Sequence, residues 1–117
     1  MKLKLCIIGC GKAAEKHLKI YQTLKDEVQV VAVADLDLNK AISFAKALSA
    51  KPYTDFQEML KKEPIEVVDL ALPSGMHGNI GKIILKKYKK HLLVEKPIAL
   101  TLKEAYELVN LAEKYGL

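Results

Sequence analysis

The sequence predicts an α/β fold, a doubly wound parallel sheet, on three observations. Short apolar runs alternate with helical patterns from end to end. The loops between them are short, and repeated β-α units joined this way require parallel strands and right-handed crossovers. The first apolar run, Lys4 to Ile8, empties straight into Gly9-Cys10-Gly11, where a helical pattern begins at once.

The elements follow in order. The first strand covers Leu3–Ile8 and the first helix Lys12–Leu24. Val28–Ala34 reads as a strand, and Leu38–Leu48 as a helix with Ala41, Phe44, Ala45 and Leu48 on one face. A short strand near Lys51–Tyr53 gives way to a helix whose capping box is Thr54 with Gln57 and which stops before Pro64. Val67–Leu72 is nearly continuous in apolar residues, as a strand covered on both faces must be. After the Pro73-Ser74-Gly75 loop come a helix over His77–Lys87 and a strand over His91–Val94. A second capping box, Thr101 with Glu104, opens the last helix. Its stripe is Ala105, Leu108, Val109 and Ala112, and Gly116 takes the C′ position.

Bulk properties exclude several classes. A chain of 117 residues fits one domain and buries roughly 60–70% of its unfolded surface. Half the residues are apolar, yet no apolar stretch approaches the ~18 that span a bilayer. Leu5–Ile8 is too short for a secretory h-region, so the expected compartment is the cytoplasm. Cys6 and Cys10 make neither a disulfide framework nor a metal site, and no metal is expected. The net charge of +5 does not indicate nucleic acid: the lysines are dispersed apart from Lys86–Lys90, with no interleaved aromatic platform.

The glycine turn has a specific chemistry. Gly9 lets the chain turn sharply out of the strand, and Gly11 lets the backbone approach a pyrophosphate. Ala14 takes the third position, where a small residue lets helix pack on strand. The helix from Lys12 points unpaired N–H groups and its positive dipole end at the phosphates. Asp35 closes the second strand and would accept from the adenosine ribose hydroxyls. Strand, turn, helix, strand and terminal carboxylate together form the dinucleotide-binding fingerprint of a Rossmann-type domain. Asp35 also favours NAD over NADP. Its charge opposes a 2′-phosphate by about 4 kcal/mol per unit charge pair near 4 Å at an effective dielectric of about 20. Leu36-Asp37-Leu38 follows it without an arginine, and Lys40 is the only nearby cation.

Two further segments fall at strand ends, Pro73–His77 and Glu95–Pro97, where doubly wound sheets bind ligands. In this order and spacing the three segments resemble the N-terminal half of the glucose–fructose oxidoreductase / inositol dehydrogenase / MocA family. Glu95-Lys96-Pro97 matches its most distinctive signature, and Leu72-Pro73-Ser74-Gly75-Met76-His77 its Pro-x-x-x-His loop. The resemblance implies a two-domain oxidoreductase that exchanges hydride between a nicotinamide cofactor and a sugar, polyol or nucleotide-sugar secondary alcohol. It implies that Lys96 is catalytic, lying beside the nicotinamide and bonding the reacting oxygen, and that the Lys96–Pro97 bond is often cis. His77 and the Pro73 loop would line the cofactor. Many members carry Asn where this chain has Ser74, and the Pro-Ser-Gly-x-His form resembles members acting on nucleotide-linked amino sugars. An ammonium beside a developing alkoxide stabilises it, in agreement with the role for Lys96, and Glu95 would hold that ammonium in place.

The expected cofactor-binding set is Gly9, Cys10, Gly11, Lys12, Ala13, Asp35, Leu36, Pro73, Ser74, His77, Glu95, Lys96 and Pro97. The family's substrate domain normally follows, with most sugar contacts and usually the oligomer interface. Residues 1–117 therefore read as a dinucleotide-binding domain, a piece of a longer protein, inactive alone and homo-oligomeric at full length. Two other readings stand beside this one. A non-catalytic dinucleotide sensor would have no use for Lys96. A methyltransferase using adenosylmethionine shares the glycine turn and strand-end acid but leaves Glu95-Lys96-Pro97 unexplained.

Overall fold

The structure is a computed structural model describing residues 1–117. Five strands form one sheet: β1 (Leu3–Ile8), β2 (Val28–Ala34), β3 (Lys51–Tyr53), β4 (Val67–Leu70) and β5 (His91–Val94). Their order across the sheet is β3-β2-β1-β4-β5, with every neighbouring pair parallel. The helices are α1 (Lys12–Thr23), α2 (Leu38–Leu48), α3 (Phe56–Lys62), α4 (His77–Ile83) and α5 (Leu102–Tyr115). Pro52 sits in β3 at the sheet's edge, where a missing N–H is tolerated. None of the helices is long and apolar enough to cross a membrane.

The period of two along β1 sorts the core into two layers. Leu5 and Ile7 join a buried cluster with Ala14, Tyr21, Phe44 and Ala45, beneath α1 and α2. Cys6 and Ile8 join one with Met59, Leu60, Ile65 and Ile84, beneath α3 and α4. In β2 the alternation breaks: Val30 and Val33 share the first cluster, Ala32 and Ala34 the second. The cause is a bulge. Leu5 pairs with Val30 but Cys6 with Ala32, so Val31 is one residue extra.

Three local expectations need correction. The cap of α3 is Asp55, whose carboxylate accepts from the N–H groups of Gln57 and Glu58, rather than Thr54. A carboxylate is the stronger acceptor at a helix's positive end. Strand β4 ends at Leu70 instead of Leu72, so Ala71 and Leu72 lead into the crevice loop. The helix from His77 keeps α-geometry only to Ile83 and widens into a π-helical turn over Ile84–Tyr88, closed by Lys89 in the left-handed region. The cap of α5 is as expected: the Thr101 hydroxyl accepts from Glu104 N–H, and Gly116 ends the helix at φ 70°.

Candidate functional site

The register of the sheet builds the site. Ile8 pairs with Ala34 on one side and Leu70 on the other, and Leu70 pairs with Val94. Four strand ends thus stand in one row, Ala34, Ile8, Leu70, Val94. The residues that leave them are Asp35, Gly9, Ala71 and Glu95. Three inter-strand gaps separate the first from the last, about 14 Å at the usual spacing. That row suits an extended dinucleotide, with the glycine turn between its two ends. The switch point of the sheet lies between β1 and β4, flanked by the Gly9 and Pro73 loops.

The two loop glycines differ in what they require. Gly9 has φ 101° and donates its N–H to the Ala34 carbonyl at 2.8 Å. A Cβ there would lie 2.5 Å from the Ala71 carbonyl oxygen. Gly11 sits at φ −93° and ψ −161°, accessible to any residue, and a Cβ there would meet nothing of the protein within 4 Å. Neither packing nor backbone conformation calls for glycine at Gly11, so the room it leaves is room for a ligand. Gly11 caps α1 without a side-chain acceptor, leaving first-turn N–H groups available to an anion. Ala14 is fully buried on the sheet. These residues fit the pyrophosphate of a dinucleotide.

Asp35 does more than end β2. One carboxylate oxygen accepts from Cys10 N–H and the other from Asp37 N–H, each at 2.8 Å. The carboxylate thereby ties the glycine turn to β2, and each oxygen keeps capacity for a second donor. Leu36 beside it is 87% exposed. Lys12 and Ala13 are exposed at the start of α1. A cleft of about 440 Å³ opens here, bordered by Cys10, Gly11, Lys12, Glu15, Lys40, Ser43 and Phe44. Cys10 turns its thiol inward toward the Ala34 carbonyl, and burial, helped by Asp35, pushes it up to about 12. It stays a thiol at neutral pH, so nothing favours a redox role. A larger groove of about 620 Å³, between Tyr21, Lys25, Val28 and Ser49, lies away from the glycine turn and holds none of the expected residues.

At the other end of the row the side chains are not arranged as the sequence suggested. His77 is 1% exposed, its ring nitrogens on the carbonyls of Leu72 at 2.8 Å and Pro97 at 3.0 Å. It joins the Pro73 loop to the Glu95–Pro97 turn from within, and does not line the crevice. Pro73 is exposed and Ser74 starts a 3₁₀ turn reaching Met76. The Lys96–Pro97 bond is cis. Lys96 and Pro97 are exposed. Glu95 does not hold the Lys96 ammonium: its carboxylate lies 2.8 Å from His17 Nε2, and Lys96 forms no ion pair.

His17 itself escaped the sequence analysis. It projects from α1 with Nδ1 2.7 Å from Asp69 Oδ2, the same oxygen that accepts from the Tyr21 hydroxyl at 2.5 Å. Asp69 is fully buried in β4, and its Oδ1 has no partner. Burial alone would lower the His17 pKa. The Asp69 charge and hydrogen bond, then those of Glu95, outweigh it and raise the value above 6.5. A raised folded-state pKa gives stability that is complete below the unfolded value of about 6.5 and lost as pH rises through the folded one. The melting temperature of the chain should therefore fall as pH rises above about 6.5, and His17→Gln should flatten that slope.

These features define a dinucleotide-binding domain of the doubly wound class. Comparison with known proteins identifies the lineage: residues 3–117 match the model of the oxidoreductase family with an NAD-binding Rossmann fold, that of glucose–fructose oxidoreductase, inositol dehydrogenase and MocA. The chain belongs to this family. It is 33% identical over 116 residues to a dTDP-3,4-didehydro-2,6-dideoxy-alpha-D-glucose 3-reductase of Saccharopolyspora spinosa, covering 98% of this chain and 34% of that protein. Among solved structures, the WlbA dehydrogenase of Bordetella pertussis, in complex with NADH and UDP-GlcNAcA, superposes with a TM-score of 0.93 at 22% identity. The alignment covers 99% of this chain and 34% of that one. KijD10, a 3-ketoreductase of Actinomadura kijaniata in complex with NADP and TDP-benzene, gives 0.92 at 24% identity, covering 100% of this chain and 36% of that one. The two structures share the fold and differ in cofactor. The chain thus spans about a third of the proteins it matches, corresponding to their NAD(P)-binding domain.

Proposed function

We propose that this domain serves an NAD-dependent oxidoreductase interconverting a secondary alcohol and a ketone on a sugar, polyol or nucleotide sugar. The observation that carries the reading is the row of strand ends, which sets Asp35, the Gly9–Gly11 turn and the Glu95–Pro97 turn in one line. Asp35 would take the adenosine ribose, with Leu36 beside it, and the α1 N-terminus from Gly11 through Ala13 the pyrophosphate. The nicotinamide, when bound, supplies the hydride acceptor or donor. Lys96 is the catalytic residue, an exposed ammonium at the far end of the row, free of any carboxylate, which would stabilise negative charge on the reacting oxygen. Pro73 and Ser74 border the crevice between the two ends.

The substrate class rests on the family and on the sugar-nucleotide reductase it resembles. The remaining contacts and a homo-oligomer interface belong to the rest of such a protein. Two free, buried cysteines accord with a reducing cytoplasm. NAD is favoured over NADP because an Asp35 carboxylate that took the adenosine ribose would repel a 2′-phosphate there.

Calorimetric titration with NAD and NADP, oxidised and reduced, tests this directly. NAD should bind more tightly than NADP, and Asp35→Asn should narrow the gap by about tenfold or more, since it removes charge repulsion and keeps one acceptor. Equal affinity for the two in the parent chain would overturn the cofactor choice. Binding of none of the four would overturn the site.

A further inference from the structure

Four side chains outside the fingerprint are joined into one chain of hydrogen bonds. Tyr21 and His17, one helical turn apart on α1, both reach Asp69 Oδ2, and His17 continues to Glu95 Oε2. The chain begins at a fully buried carboxylate in the sheet and ends at the residue preceding Lys96. Carboxylates only accept, so an imidazole facing one at each nitrogen donates from both only as the imidazolium. The groups that face the ring are Tyr21 from its own helix, Asp69 from β4 and Glu95 from the end of β5. Cys6 in β1 adds a buried thiol, pushed up by burial and by Asp69.

Compensating Asp69 needs only Nδ1. The second bond, from Nε2 to a carboxylate 43% exposed at the rim of the crevice, reaches the buried charge only through the ring, by favouring the imidazolium. It does fix Glu95. Without that bond, the carboxylate one residue from Lys96 is free to turn to the ammonium. The geometry points to His17 as a positioning residue that holds Glu95 away from Lys96, keeping the ammonium unpaired for the reacting oxygen. This role rests on the reading of Lys96 given above.

Trace labelling of lysines with acetic anhydride, quantified at Lys96 by mass spectrometry against the other lysines, tests it on the 117-residue chain. In His17→Gln, Lys96 should label about threefold less, the effect of one partly exposed ion pair. The double variant His17→Gln/Glu95→Ala should recover parental labelling, which a purely structural role for His17 would not produce. Unchanged labelling in His17→Gln, or no recovery in the double variant, overturns the role. Nitrogen-15 NMR of the parent ring decides the matter independently should His17→Gln fail to fold. Both ring nitrogens should carry protons at neutral pH, and a neutral ring overturns the proposal. NADH, but not ADP-ribose, should protect Lys96 in the parent. Failure of that protection, with His17 doubly protonated and the labelling changes intact, overturns the placement of Lys96 beside the nicotinamide and leaves the clamp on Glu95 standing.

Discussion

Gly9→Ala should unfold a large fraction of the chain or lower its melting temperature by roughly 10 °C or more. The new Cβ would fall 2.5 Å from the Ala71 carbonyl oxygen, and φ 101° lies in the region that side chains rarely adopt. The clashing atom cannot swing aside as a side chain would. It is main chain, and the Ala71 N–H is anchored to Ile8 O at 2.8 Å. Strain and overpacking together cost on the order of 3–5 kcal/mol, against a total stability of about 5–15 kcal/mol for domains of this kind. Scanning calorimetry of parent and variant reads the loss. A melting temperature within about 2 °C of the parent would mean that the turn is far softer than its contacts indicate.

Gly11→Val should do the reverse: leave the fold nearly untouched and abolish most dinucleotide affinity. Its backbone angles suit any residue, and its Cβ vector enters space the protein does not use. Glycine ranks above valine at an N-cap, so capping loses roughly 1 kcal/mol, small against a total stability of about 5–15 kcal/mol. A bulky side chain between the first-turn N–H groups and a pyrophosphate removes charge-assisted hydrogen bonds worth about 2–4 kcal/mol in sum, roughly 30- to 1,000-fold in affinity. Calorimetric titration with NADH alongside a thermal melt separates the two effects. A variant that binds as well as its parent would show that the dinucleotide does not approach this backbone. Those two outcomes together would show Gly9 and Gly11 dividing the work, one serving the fold and the other its ligand.

The elements were legible because alternation of apolar runs and helical stripes is a local signal, repeated five times along this chain. Local signals also picked out the Gly9–Gly11 turn and Asp35 at the end of β2, whereas the cis Lys96–Pro97 bond was an implication of the family resemblance. What the sequence hid was which side chains meet. His17 lies 52 residues from Asp69 and 78 from Glu95, and a lone histidine on a helix has no spacing to betray it. One clue was available: Asp69 interrupts the otherwise apolar run from Val67 to Leu72, and a charge in a strand covered on both faces demands a partner. The same blindness to distance led Glu95 to be paired with its neighbour Lys96 instead of with α1, and His77 to be set facing the crevice instead of bridging two loops from inside. At the α3 cap the error was of another kind. Thr54 and Asp55 are both good caps in sequence, and the helix starts one residue later than the first of them allows.

The strand order bears on how the molecule comes to exist during synthesis. Of these five strands the one made first, β1, is the middle of the sheet, with β2 on one side and β4 on the other. The glycine turn therefore emerges early but stays one-sided until residue 67 and beyond have been made, several seconds later at about 5–20 residues per second. The clamp on Glu95 waits longer still, because Asp69 and Glu95 arrive on the fourth and fifth strands. A nascent chain halted in α3 would already contain the glycine turn and the Asp35 that accepts from it, with His17 and Tyr21 still lacking their acceptor. The domain thus gains the half that carries the glycine turn and Asp35 first, and the half that carries Lys96 only as its fifth strand docks.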